Sequence, residues 1–149
     1  MGEFTLSLPI SGKDVRKLKV GDVVYLTGVL VTARDRAHHR ILRFLSEGKK
    51  LPVRMEEGVI YHCGPLARKE GSGWKIVSAG PTTSERVDAF LPQIIRALRV
   101  RAVVGKGGVR RKTAEAMREM RCVYLAFPGG CGALAAQRVK GVKRIYWSD

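Results

Sequence analysis

Two threonines and three basic residues carry the chemistry open to this sequence. The stretch Ser78-Ala79-Gly80-Pro81-Thr82-Thr83-Ser84-Glu85-Arg86-Val87-Asp88 starts where a Gly-Pro corner breaks the apolar run Trp74–Val77. Three hydroxyl residues and an arginine follow at once, and then a helix-like pattern begins. Unpaired backbone N–H groups at a helix start are electropositive and hold anions. Hydroxyls and a guanidinium placed there suit a negatively charged ligand. The same spacing also reads as a capping box, Thr82-x-x-Glu85, with a purely structural role.

Three further junctions resemble this one. Arg34 closes the β-branched run Val23–Ala33, Gly105-Lys106-Gly107 closes Val100–Val104, and Pro128-Gly129-Gly130 closes Cys122–Phe127. In parallel β-α units ligands collect beyond the carboxyl ends of the strands. Arg34, Arg86 and Lys106, with the Thr82 and Thr83 hydroxyls, then form an anion site, and two arginines with a lysine suit a dicarboxylate. Other chemistries lack support. Lys106 is followed by Gly107 where a phosphate-binding P-loop needs Ser or Thr, and neither Gly-x-Gly-x-x-Gly nor Gly-x-Ser-x-Gly occurs. Cys63, Cys122 and Cys131 contain no Cys-x-x-Cys, so no iron–sulfur or zinc ligand set is apparent. His38 and His39, about 100° apart on a helix, make a poor metal pair. The site thus binds charge and offers hydroxyls, but its electrophile must come from elsewhere.

The elements that position these residues follow from periodicity. Thr5–Ile10 predicts a strand, Gly12–Leu18 a short helix or turn, and Lys19–Asp22 a hairpin-type turn before Val23–Ala33, with a bend at Gly28. Ala37, Ile41, Phe44 and Leu45 share a helical face beginning at Asp35. Val59–Cys63 is a strand, and a polar hairpin at residues 68–73 leads into Trp74–Ala79. Val87 to Leu98 has helical spacing interrupted by Pro92, which predicts a kink or two short helices. Strand and helix then alternate: Val100–Val104, Val109–Met120, Cys122–Phe127, Cys131–Val139 and a last strand at Val142–Trp147. The alternation predicts parallel β-α units in a mixed sheet system with helices on one side.

The 149 residues suit one domain, 1–149, with a real core. No apolar run is long enough to span a membrane and no signal peptide is visible, which argues for the cytosol. The net charge of +15 raises nucleic-acid binding as a rival reading. That reading rests on charge alone, because the aromatic residues are scattered and form no stacking platform. The chain has no Asn and only two Gln, the direction seen in heat-adapted proteins.

Five pieces carry a family resemblance: Gly21-Asp22 with the following strand, Ala33-Arg34-Asp35-x-Ala37-His38, Gly64-Pro65, Ala79-Gly80-Pro81-Thr82-Thr83-Ser84-x-Arg86-x-Asp88, and Gly105-Lys106-Gly107-Gly108. In this order the chain resembles the β subunit, or fused C-terminal domain, of class I fumarases and L-tartrate dehydratases. Val87 stands where the family usually has Met, and the family's usual Gly-x-Pro-Glu-Ala-type tail does not follow Trp147-Ser148-Asp149.

The resemblance implies a swivelling β/β/α three-layer domain with a mixed sheet. It also implies the β subunit of an iron–sulfur hydro-lyase that interconverts fumarate and malate, with another hydroxy-diacid such as L-tartrate as the alternative. The implied [4Fe–4S] cluster is held by a partner α subunit, in a hetero-oligomer, and not by this chain. Carried over by position, Arg34, Arg86 and Lys106 would hold the substrate carboxylates. Thr82 would serve in proton transfer with Thr83 beside it, its pKa lowered by the surrounding cations.

Overall fold

The computed structural model describes all residues from 1 to 149. The N-terminal strand β1 (Glu3–Ser7) and helix α1 (Gly12–Lys17) precede β2 (Val23–Thr27). A capping box opens α1. Ser11 Oγ accepts the Asp14 N–H at 3.2 Å, and the Asp14 carboxylate accepts the Ser11 N–H at 2.9 Å. The turn at Lys19–Asp22 is present, with the Asp22 carboxylate accepting the Lys19 and Gly2 amides. It does not make a hairpin, because β1 and β2 run parallel, from Glu3↔Val23 to Ser7↔Thr27. The helix between them supplies the crossover that a parallel pair requires.

Gly28 divides the long β-branched run. Its φ is +131°, and a Cβ there would stand 2.8 Å from the Leu8 Cβ. Only glycine combines that conformation with that approach. Beyond it the chain changes sheets, entering β3 (Val31–Thr32), helix α2 (Asp35–Ser46) and β4 (Val59–Tyr61). An antiparallel hairpin of β5 (Leu66–Glu70) and β6 (Gly73–Ser78) follows. A 3-10 turn (Ser84–Val87) and helix α3 (Leu91–Leu98) follow, two short pieces rather than one kinked helix, with Pro92 in the first turn of α3, where its missing N–H costs nothing. The chain closes with β7 (Ala102–Gly105), α4 (Arg111–Met120), β8 (Val123–Ala126) and α5 (Gly132–Gln137).

Strands β3, β4, β7 and β8 form one parallel sheet in that spatial order. Parallel and antiparallel pairings both occur, but in separate sheets rather than in one mixed sheet. Every residue of β4 and β7 is buried, as expected of a parallel sheet covered on both faces. Alternation assigns the faces. Ile60 and Val103 pack with Ile41 of α2, Leu91, Ile94, Ile95 and Leu98 of α3, and Ala116 and Met117 of α4. Val59, Tyr61, Ala102 and Val104 pack on the other face with Ile10 and Ala79, and with Leu6, Leu26, Ile76 and Ala135 from β1, β2, β6 and α5. Helices therefore cover one side of the sheet, and the small strand pairs with α5 cover the other.

The strand expected at Val142–Trp147 does not form; residues 139–149 have no regular structure. Side chains, not a ladder, hold this segment. Trp147 meets Phe44 with ring centroids 5.4 Å apart, the Arg40 guanidinium lies over the indole, and Arg40 also pairs with Asp149. An apolar alternating pattern makes a strand only where a sheet edge receives it. No helix of the chain is long and apolar enough to cross a membrane.

Candidate functional site

Four of the five sequence-predicted residues, Arg34, Thr82, Thr83 and Lys106, are held at the carboxyl ends of the parallel strands. Ala33 follows β3, its amide donating to the Tyr61 carbonyl, and Arg34 comes next as the N-cap of α2 with no capping hydrogen bond from its side chain. The Arg34 side chain crosses Gly64, just beyond β4, where a Cβ would stand 2.6 Å from its Cδ. Lys106 follows β7 directly. Its side chain crosses Gly129 beyond β8, where a Cβ would stand 3.4 Å from Cδ and 3.6 Å from Nζ. Each basic side chain thus lies across the glycine of the neighbouring strand end.

The Thr82–Ser84 segment spans the gap between β4 and β7. The Thr82 amide donates to the His62 carbonyl at 2.6 Å and the Ser84 amide to the Lys106 carbonyl at 2.9 Å. Thr83 forms an isolated parallel bridge with Lys106, and Gly107 (φ +80°) leaves room for the Thr83 methyl, 3.2 Å from where its Cβ would be. Arg34, Thr82, Thr83 and Lys106 are therefore anchored to adjacent strand ends. Arg86 arrives one 3-10 turn later, exposed.

The three cations are free. Eight ion pairs form in the chain, and none includes Arg34, Arg86 or Lys106. Glu85, the neighbour of Arg86, pairs with Arg110 instead. The two threonine hydroxyls are also free. The 3-10 turn is capped at Thr83 without a side-chain hydrogen bond, so the Thr82-x-x-Glu85 capping box is absent. A capping box needs a full helical turn beyond it, whereas here four residues of 3-10 structure intervene before α3.

A buried polar layer lies beneath these groups. Sequence reasoning gave His62, Ser84 and Tyr124 no role. Ser84 Oγ is 2.8 Å from His62 Nδ1 and 2.9 Å from the Tyr124 hydroxyl, which accepts the Gly108 N–H at 3.2 Å. The one signal was a histidine closing the otherwise apolar run Val59–Tyr61. His38 and His39 behave oppositely, as their spacing requires. His38 is fully buried, with Nδ1 2.8 Å from the Arg34 carbonyl, whereas His39 is exposed with its ring edge on Phe90. Burial lowers the His38 pKa against the opposing pull of the Arg34 carbonyl and Asp35. Burial, with His38 alongside, lowers that of His62 to about 3.

The cysteines do not fit an iron–sulfur cluster. Cys63 packs in the strand-side core and Cys122 in the helix-side core, on opposite faces of the sheet, while Cys131 caps α5. Burial pushes Cys63 up to about 11 and Cys122 up to about 12, the reverse of what thiolate ligation needs. Concavities exist elsewhere, including one of about 400 Å³ lined by Trp74, Ile76 and Val139 and a smaller one beside Trp147. Neither includes Thr82, Arg86 or Lys106.

Comparison with known proteins agrees with the resemblance at the level of the family. The family model described as "Fumarase C-terminus" matches residues 2–149. This chain belongs to that fumarase C-terminal family. Among relatives, a Methanocaldococcus jannaschii protein provisionally named L(+)-tartrate dehydratase subunit beta is 44% identical over 147 residues, 99% of this chain and 75% of the relative. The Escherichia coli protein named L(+)-tartrate dehydratase subunit beta is 39% identical over 144 residues, 97% of this chain and 70% of its own length. A Geobacillus stearothermophilus protein provisionally named fumarate hydratase class I is 38% identical over 143 residues. That match covers 95% of this chain and 27% of the longer relative.

Proposed function

We propose that this chain is the β subunit of a hydro-lyase that adds or removes water across a dicarboxylic acid. The observation that supports the reading is that Arg34, Arg86 and Lys106 make no ion pair, that Thr82 and Thr83 make no side-chain hydrogen bond, and that Thr82–Thr83 is tied by its backbone to the ends of β4 and β7. A free basic group at a functional face is available for a ligand's carboxylate, and a guanidinium binds one with two parallel hydrogen bonds. Arg34, Arg86 and Lys106 hold and orient the two carboxylates. Thr82 Oγ1 moves the proton at the reacting carbon, with Thr83 Oγ1 beside it, and the cations favour the ionised form of the hydroxyl. The names of the relatives, as subunits and as part of a longer enzyme, support an α-subunit partner. An iron–sulfur cluster would come from that partner, where it supplies a Lewis acid. We further propose that the β/β/α layering belongs to a domain that swivels to close this open face onto the partner.

Fumarate/malate and L-tartrate both present two carboxylates to the same cations. Fumarate follows from the resemblance to class I fumarases, whereas the names of the M. jannaschii and E. coli relatives favour L-tartrate. Co-expression with an α subunit of this hydro-lyase family under anaerobic conditions, followed by separate assays of fumarate hydration and L-tartrate dehydration, tests both. Turnover of one diacid, abolished by Arg34→Met, supports the reading. A complex inactive on all hydroxy-diacids, or a stoichiometric cluster in the isolated chain, overturns it.

A further inference from the structure

The buried layer connects the two halves of the site. From the Gly108 amide the contacts run to the Tyr124 hydroxyl, Ser84 Oγ and His62 Nδ1. The His62 ring then meets the His38 ring edge-to-face, centroids 5.1 Å apart, and His38 Nδ1 ends on the Arg34 carbonyl. Ser84, His62 and His38 are all 0% exposed, so water does not compete for these groups.

The proton on each atom follows from its partner. A carbonyl only accepts, so His38 carries its proton on Nδ1 and keeps a lone pair on Nε2. Tyr124 accepts from Gly108, which leaves its own proton for Ser84, and Ser84 donates in turn to His62 Nδ1. His62 is then protonated on Nε2, which, like His38 Nε2, has no hydrogen-bond partner in the chain. The reverse order would leave the Tyr124 proton without a protein partner.

Gly105 makes the space for this chain of contacts. A Cβ at that position would overlap Ser84 Oγ and stand 3.1 Å from His62 Nδ1 and 3.2 Å from the Tyr124 oxygen. Three polar atoms, from His62 after β4, Ser84 in the 3-10 turn and Tyr124 in β8, converge on one missing methyl.

We propose that Ser84, His62 and Tyr124 are positioning residues that lock the Thr82–Thr83 segment to the Lys106–Gly108 turn, presenting hydroxyls and ammonium to the diacid as one unit. Backbone bonds already place Thr82 on His62 and Ser84 on Lys106. The side-chain relay sets the angle of the same two pieces from below. The functional half of this inference rests on the hydro-lyase reading; the hydrogen-bond half does not.

Two measurements test it. Long-range 15N–1H NMR of the full chain, labelled in its three histidines, reads the tautomers directly. His38 protonated on Nδ1 and His62 on Nε2 is the expected result, and His62 protonated on Nδ1 overturns the relay. In the active complex, Tyr124→Phe removes one oxygen and keeps the ring. It should lower kcat/KM about tenfold or more, since a small misplacement of reacting groups is costly, and it should leave the fold intact. A lowered Tm with unchanged kcat/KM assigns Tyr124 to stability alone and overturns the positioning role. A wild-type complex that turns over no diacid overturns the hydro-lyase reading and the functional half with it, while the NMR result on the isolated chain still decides the relay.

Discussion

Arg34 lies directly across Gly64, whose missing Cβ would stand 2.6 Å from the arginine Cδ and 3.3 Å from one guanidinium nitrogen. The backbone at Gly64 is not in the left-handed region, so glycine is needed there for space and not for conformation. Gly64→Ala should therefore fold normally and displace Arg34. The expected outcome in the active complex is a KM for the diacid raised by about tenfold, with a Tm close to wild type. An unchanged KM would mean that Arg34 does not touch the substrate.

Arg86 offers a sharper test of carboxylate geometry. Arg86→Lys keeps the charge and loses the planar two-pronged donor. Both binding and turnover should weaken, because a diacid held at one point reacts from the wrong pose. Since Arg86 is exposed and unpaired, its replacement should not change stability. Kinetics and a thermal melt on the same preparation distinguish the two effects.

Thr82 makes no capping bond, so Thr82→Val should leave the thermal midpoint nearly unchanged. If its hydroxyl moves a proton, kcat should fall by roughly 10²-fold or more with little change in KM. Near-normal kcat would remove Thr82 from the chemistry and leave a site of basic residues alone.

The buried histidines predict an acid limb in stability. An unfolded histidine takes up its proton near pH 6.5, but burial holds His62 neutral down to about 3, and His38 is lowered as well. The unfolded state therefore binds more protons as pH falls through 6.5. The contribution of each ring is fully present above that pH and is lost below it, at up to about 1.4 kcal/mol per pH unit. Carboxylates held low by hydrogen bonds, such as Asp14, Asp22 and Glu57, act only at more acidic pH. Tm measured from pH 8 to pH 4 should begin to fall near 6.5. A curve flat to pH 5 would show that the histidines accept protons in the folded state.

Much of this molecule was legible in residue order. The β-branched runs, the helical face from Asp35 and the Gly-Pro corner at Gly80-Pro81 are local patterns, and local patterns survive folding when burial agrees with them. The placement of Arg34 and Lys106 was legible for the same reason, since each closes an apolar run and parallel topology gathers such ends. Tertiary structure decided the rest. The Lys19–Asp22 turn carries no mark that tells a hairpin from a crossover, and only the parallel register of β1 with β2 settles it. Val142–Trp147 has strand composition but pairs with no strand, and Trp147 packs on Phe44 instead. Glu85 stands three residues after Thr82, as a capping box requires, yet Arg110, 25 positions away, takes its carboxylate. His62, Ser84 and Tyr124 are 22 and 40 positions apart, so their contact, and the reason residue 105 must be glycine, exist only once three strands lie side by side.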